Sequence, residues 1–178
     1  MVAPIVIAVG VPLAVGFVAS TVSAPGILKW YPKLKKPSWT PPTPAFGPIW
    51  SSLYVAMGLA SHRVYQAVGF SRSSPLWMLY SAQLALNAAW NPLVFVGRKL
   101  DVALVEVVAL LGTAAATAVR FGTIDAVAGR LMVPYVGWIA YAAALNGALW
   151  RMNPASRLIK GKEADADAGA DGAPAVAE

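Results

Sequence analysis

The sequence predicts an all-α membrane protein, a five-transmembrane-helix bundle, and three observations carry that expectation. Of its 178 residues 58% are hydrophobic and only 12% charged, too little polar surface for a soluble domain of this size. Five apolar runs approach the roughly 20 residues that a bilayer crossing requires. Backbone groups in lipid must be satisfied within their own segment, and no alternating ten-residue strand pattern is present, so helices are expected rather than a barrel.

The first run, residues 5–24, ends in Val22-Ser23-Ala24, loosely a signal-cleavage pattern, but no basic side chain precedes its apolar core. It reads as a retained helix, punctuated by Pro12 and by Gly16 and Ser20 at a spacing that lets helices approach closely. A connection over residues 25–45 follows. It is basic at first and then rigid, because Pro37, Pro41, Pro42, Pro44 and Pro48 each fix their own φ and restrict the residue before them.

The second run covers residues 46–65 and sets Trp50, Tyr54 and Met57 on one face. The third covers residues 75–97. It carries Gln83, Asn87 and Trp90 on one stripe, and a small-residue ladder of Ser81, Ala85 and Ala89 that reads either as intrachain bundle packing or as a homodimer face, for which this helix is the preferred choice. The fourth, residues 102–119, holds Glu106, where a functional carboxylate and an ion pair with the preceding Arg98 or Lys99 are both open readings. The fifth, residues 131–150, aligns Trp138, Ala142, Leu145 and Leu149. Together these runs define a transmembrane domain over residues 1–153. Residues 154–178 read as a basic, then acidic tail, expected to be disordered, with five of the eight acidic residues after position 162.

With five crossings, Lys29, Lys33, Lys35 and Lys36 share a side with Arg98, Lys99, Arg151, Arg157, Lys160 and Lys162. Only Arg63, Arg72, Arg120 and Arg130 lie opposite. The positive-inside rule then places the first connection and the C-terminus in the cytosol. Basic residues that flank apolar spans suit lipid head groups or ligand carboxylates, and nucleic acid is not an expected partner.

The chain has no cysteine, so disulfides, thiolate catalysis and cysteine metal sites are excluded. No Ser/His/Asp set, paired carboxylates, phosphate-binding glycine loop or histidine metal motif is present, and the one histidine, His62, reads as an interfacial residue. No metal or required cofactor is expected. Gln83 and Asn146, each taken alone, read as interhelical hydrogen-bonding residues. Asn87 differs because aromatic side chains surround it in the pattern: indole walls with one or two polar groups describe a pocket for a flat apolar ligand.

The segments "WYPKLKKPSWTPP", "GPIWSSLYVAMG", "QLALNAAWNPLVFVGRK" and "RLMVPYVGWIAYAAALNGALWRMN" resemble the translocator protein family, also called tryptophan-rich sensory proteins or peripheral-type benzodiazepine receptors. The match runs in order over residues 27–153. It implies a five-helix bundle, usually dimeric, whose first loop folds over a pocket. The implied ligands are porphyrins such as protoporphyrin or haem, sterols, and isoquinoline-carboxamide or benzodiazepine-type compounds. Matched residue by residue, the implied pocket comprises Trp50, Asn87, Trp90, Trp138, Ala142 and Leu145, with Trp30, Tyr31 and Trp39 in the lid.

The resemblance also nominates Trp50 and Trp138 for light-dependent porphyrin degradation, the enzymatic alternative to a sensor, scavenger or translocator. A scaffold that signals through partner proteins, with the acidic tail as the contact, is the third class. Two positions depart from the family pattern. Gly147 stands where a sterol-recognition motif needs tyrosine, and Val94 replaces an aromatic residue beside Phe95. Location follows source: mitochondrial outer membrane in a eukaryote, cell envelope in a bacterium.

Overall fold

A computed structural model describes residues 2–154. Five long helices follow one another: α1 (Val2–Lys29), α2 (Thr43–Val68), α3 (Pro75–Asn91), α4 (Leu100–Ile124) and α5 (Ala126–Met152). The all-α architecture expected from the apolar runs is present, with no strand among the described residues. The tail beyond Pro154 lies outside them.

Three helices, α1, α4 and α5, are long and apolar enough to cross a membrane by length and composition alone. The 26-residue α2 is diluted by His62, Arg63 and Gln66 near its end. At 17 residues α3 covers only about 25 Å by helical rise. A π-helical stretch, Pro92–Val96, continues it.

That π stretch has a local cause. Pro92 has no N–H to donate into the α-helical ladder, and the ladder resumes with wider bonds: Gly97 N donates to Pro92 O at 2.8 Å and Lys99 N to Leu93 O at 3.1 Å. The 75–97 span is therefore an α-helix ending in a wide turn, which swings Val94 and Phe95 inward. Arg98, not Gly97, then adopts the left-handed backbone (φ 52°) that turns the chain into α4.

Helix packing closes a ring in the order α1–α2–α5–α4–α3, with α3 returning to α1. Glycines permit the closest approaches. Any Cβ at Gly16 would strike the Tyr54 ring, and one at Gly26 would strike the Phe95 carbonyl. The α4–α5 corner is capped by Asp125, whose carboxylate accepts from Ala128 N at 2.8 Å. The same carboxylate takes a forked bond from Arg63 of α2, with Nη2 at 2.8 Å and Nε at 3.1 Å. Burial and aromatic contacts of Trp77, Tyr80 and Phe121 fill this end of the ring.

The first helix runs to Lys29, so the first connection is shorter than residues 25–45 and occupies residues 30–42. Its opening turn, Tyr31–Lys33, is a 3-10 helix. Trp30, Tyr31 and Leu34 are buried in a second apolar cluster with Val94, Leu100, Leu145 and Leu149. The Ser81, Ala85 and Ala89 ladder lies on the outside of the ring.

Candidate ligand-binding site

The end of the ring that carries the first connection does not close on itself. A cavity of about 480 Å³ remains there, within the size range of small-molecule sites. Four helices, the π stretch and the first connection wall it. From α1 come Leu13, Gly16, Phe17, Ser20 and Ile27; from α2, Phe46, Trp50, Ser51 and Tyr54. Trp90 and Asn91 end α3, Val94 and Phe95 belong to the π stretch, and α5 adds Ala142, Leu145, Asn146 and Leu149. Tyr31 closes it from the connection. The lining includes no acidic, basic or imidazole side chain, and α4 contributes nothing.

Trp50 is the centre of the aromatic wall. Its ring stacks on Tyr54 at 5.5 Å between centroids and lies 6.4 Å from both Trp90 and Trp138. Trp138 stands one layer back, stacked on Tyr141 at 5.1 Å and edge-on to Phe46 at 6.0 Å.

Of the residues nominated from sequence, Tyr31, Trp50, Trp90, Ala142 and Leu145 line the cavity. Asn87 does not. Its Oδ1 accepts from Tyr54 OH at 2.7 Å and its Nδ2 donates to Tyr135 OH at 3.1 Å. Tyr135 donates in turn to Gln83 Oε1 at 2.8 Å, so the polar stripe of α3 is a hydrogen-bonded seam joining α2, α3 and α5. Asn87 holds the Tyr54 ring, and Tyr54 is what faces the cavity.

The three lid candidates separate. Trp30 is 1% exposed and belongs to the buried cluster, whereas Trp39 is 48% exposed and packs edge-on against Tyr141 at 5.5 Å. Tyr141 OH also donates to the Trp39 carbonyl at 3.1 Å. Burial, reinforced by the nearby Tyr141, raises the Tyr31 phenol above its ordinary pKa. Lys36 lies 4.6 Å above the Tyr31 ring, its pKa lowered by burial. Asn153 fastens the connection to α5: Lys35 N donates to its Oδ1 and its Nδ2 donates to Lys35 O, both at 2.9 Å.

Sequence spacing missed the α1 wall and the π-stretch residues. Gly16 and Ser20 signalled a close helix contact, but the pattern alone does not say that a cavity adjoins it. The ion pair considered for Glu106 is not formed: both carboxylate oxygens are buried without a hydrogen-bond partner. Among the described residues no cluster of His, Asp or Glu is placed to hold a metal ion.

A ring of five helices with an uncharged, indole-walled cavity at one end defines a polytopic membrane protein with an internal chamber. Residues 8–151 match the TspO/MBR family, and the chain belongs to that family. It is 44% identical to the translocator protein of Sus scrofa over 149 residues, 83% of this chain and 88% of that protein. Against the translocator protein of Homo sapiens the identity is 43% over 128 residues, 71% and 76% of the two chains. A tryptophan-rich sensory protein of Cereibacter sphaeroides is 40% identical over 125 residues, 70% and 77%.

Proposed function

We propose that the protein binds a flat apolar ligand of the tetrapyrrole class, protoporphyrin or haem, within the cavity, and acts as a sensor, scavenger or translocator of that ligand. The observation that carries the reading is the Trp50–Trp90 wall facing a chamber of about 480 Å³. Indole faces stack on an extended π system and contribute roughly 0.5–1.5 kcal/mol per ring pair beyond area burial. Because the lining is uncharged, a porphyrin would leave its propionates at the mouth, beside the exposed Lys29, Lys33 and Lys35.

The connection over residues 30–42 serves in this reading as the lid, with Tyr31 as its inner face. Its end of the bundle is oriented to the cytosol by the basic residues around it, and two copies pair through the small-residue face of α3. Sterols and isoquinoline-carboxamide or benzodiazepine-type compounds fit the same apolar volume.

Titration of protoporphyrin into detergent-purified protein tests the reading. Tryptophan fluorescence should quench saturably, Trp50→Leu should weaken binding about tenfold, and Trp150→Phe, at an exposed position outside the lining, should leave it unchanged. Equal affinity in wild type and Trp50→Leu would remove the ligand from this cavity. The hub position of Trp50, with three rings within 6.4 Å, favours a second reading as a porphyrin photo-oxidase. In that case illumination of the same complex bleaches the porphyrin absorbance, and a stable spectrum eliminates it.

A further inference from the structure

We infer that Asn146 selects among ligands by favouring a hydrogen-bond donor, so that the part of the favoured occupant lying inside the chamber is uncharged, flat and apolar and carries a hydroxyl or N–H group. The inference rests on the cavity being the binding site and adds the residue that discriminates within it.

Asn146 is 1% exposed and lines the cavity. Its Nδ2 donates to the Leu100 carbonyl of α4 at 2.8 Å. That bond also fixes which end of the amide is oxygen, because the reverse orientation would set two carbonyl oxygens against each other. Oδ1 is consequently held in place, buried and without a partner. A buried acceptor left unpaired costs free energy that a ligand donor recovers.

Trp90 brings a donor of its own. It lines the same cavity, and its Nε1 donor is likewise buried and unpartnered. A hydroxyl can donate to Asn146 Oδ1, whereas an ether oxygen can only accept. Asn87 cannot take the role of Asn146, because both ends of its amide are engaged by Tyr54 and Tyr135. A charged donor such as an ammonium finds no counter-ion in the lining.

The test compares 1-hydroxypyrene with 1-methoxypyrene, two flat uncharged probes that differ in one donor, each read by energy transfer from tryptophan. Wild-type protein should bind the hydroxyl compound about 3- to 10-fold more tightly, the range of one net hydrogen bond, and Asn146→Leu should bring the ratio to about 1. Equal binding of both probes by wild type overturns the donor preference and leaves the cavity as a site. Binding of neither overturns the cavity reading as well.

Asn91 is the rival amide in the lining. A preference that survives Asn146→Leu and vanishes in Asn91→Leu overturns the assignment. Should Asn146→Leu fail to fold, infrared difference spectra of ¹³C-asparagine-labelled Asn91→Leu protein decide. Hydroxypyrene, and not methoxypyrene, should lower a side-chain carbonyl frequency, and the absence of that shift overturns the proposal.

Discussion

The amide of Asn87 is held between two phenols, Tyr54 on α2 and Tyr135 on α5, and its substitution would strand Tyr54 and leave Tyr135 only its bond to Gln83. Leaving buried polar groups unsatisfied costs about 1–3 kcal/mol each, reduced in a membrane because partly unfolded helices also find partners. Asn87→Leu is therefore expected to lower stability by about 1–2 kcal/mol in a detergent unfolding titration, and an unchanged midpoint would show the seam to be dispensable. From sequence, Asn87 read as a pocket residue and Asn146 as an interhelical hydrogen-bonding one, whereas Asn87 is spent between helices and Asn146 both bonds across to α4 and lines the cavity. Periodicity assigned their faces but not their partners, which depend on where Tyr135 and the Leu100 carbonyl arrive from distant segments. Arg98 illustrates the same limit at the backbone. Gly97 is the residue that left-handed geometry favours, yet the wide turn started by Pro92 shifts that conformation one residue onward.

Among the elements, the first connection divides into a buried half and an exposed half. Trp30, Tyr31 and Leu34 are core residues, while residues 35–42 are fastened from outside by Asn153 and Tyr141. The proline-rich composition made rigidity legible, and the basic residues made the side legible. The fastening to Asn153, 118 positions away, was not. Asn153→Ala removes both bonds to Lys35 and, with them, the side-chain bond to the Leu149 carbonyl at the end of α5. Amide exchange at Lys35 should accelerate about tenfold, the factor that one or two net hydrogen bonds imply. Unaltered protection would mean that the buried half alone holds the connection.

At the scale of the whole molecule the two ends of the ring are built differently. One end holds the cavity. The other is closed by aromatic packing and by the fork between Arg63 and Asp125. The Arg63 bond, followed by the helix-cap bond from Ala128, holds the Asp125 carboxyl at a pKa of about 2, below the roughly 3.9 of an unfolded chain. The pKa is depressed on folding, so this contribution is complete above about pH 4 and is lost as pH falls toward 2. Asp125→Asn should flatten the stability profile over that window while leaving the slope at neutral pH unchanged, as thermal unfolding against pH would show. The number of helices could be read from the apolar runs because each must satisfy its backbone alone. Their ring order could not, since apolar periodicity marks a buried face without naming the helix that covers it.

That order has a consequence for how the protein is made. Of the five described helices α5 is the last to be synthesised, yet it sits between α2 and α4 rather than at the end of the series. A nascent chain of four helices lacks Tyr135, so Asn87 and Gln83 would face lipid with their amides incompletely paired, and the chamber would be missing its α5 wall. Until α5 joins the other four, the α3 amides form a polar patch on an otherwise apolar surface, and closure of the ring is what removes it.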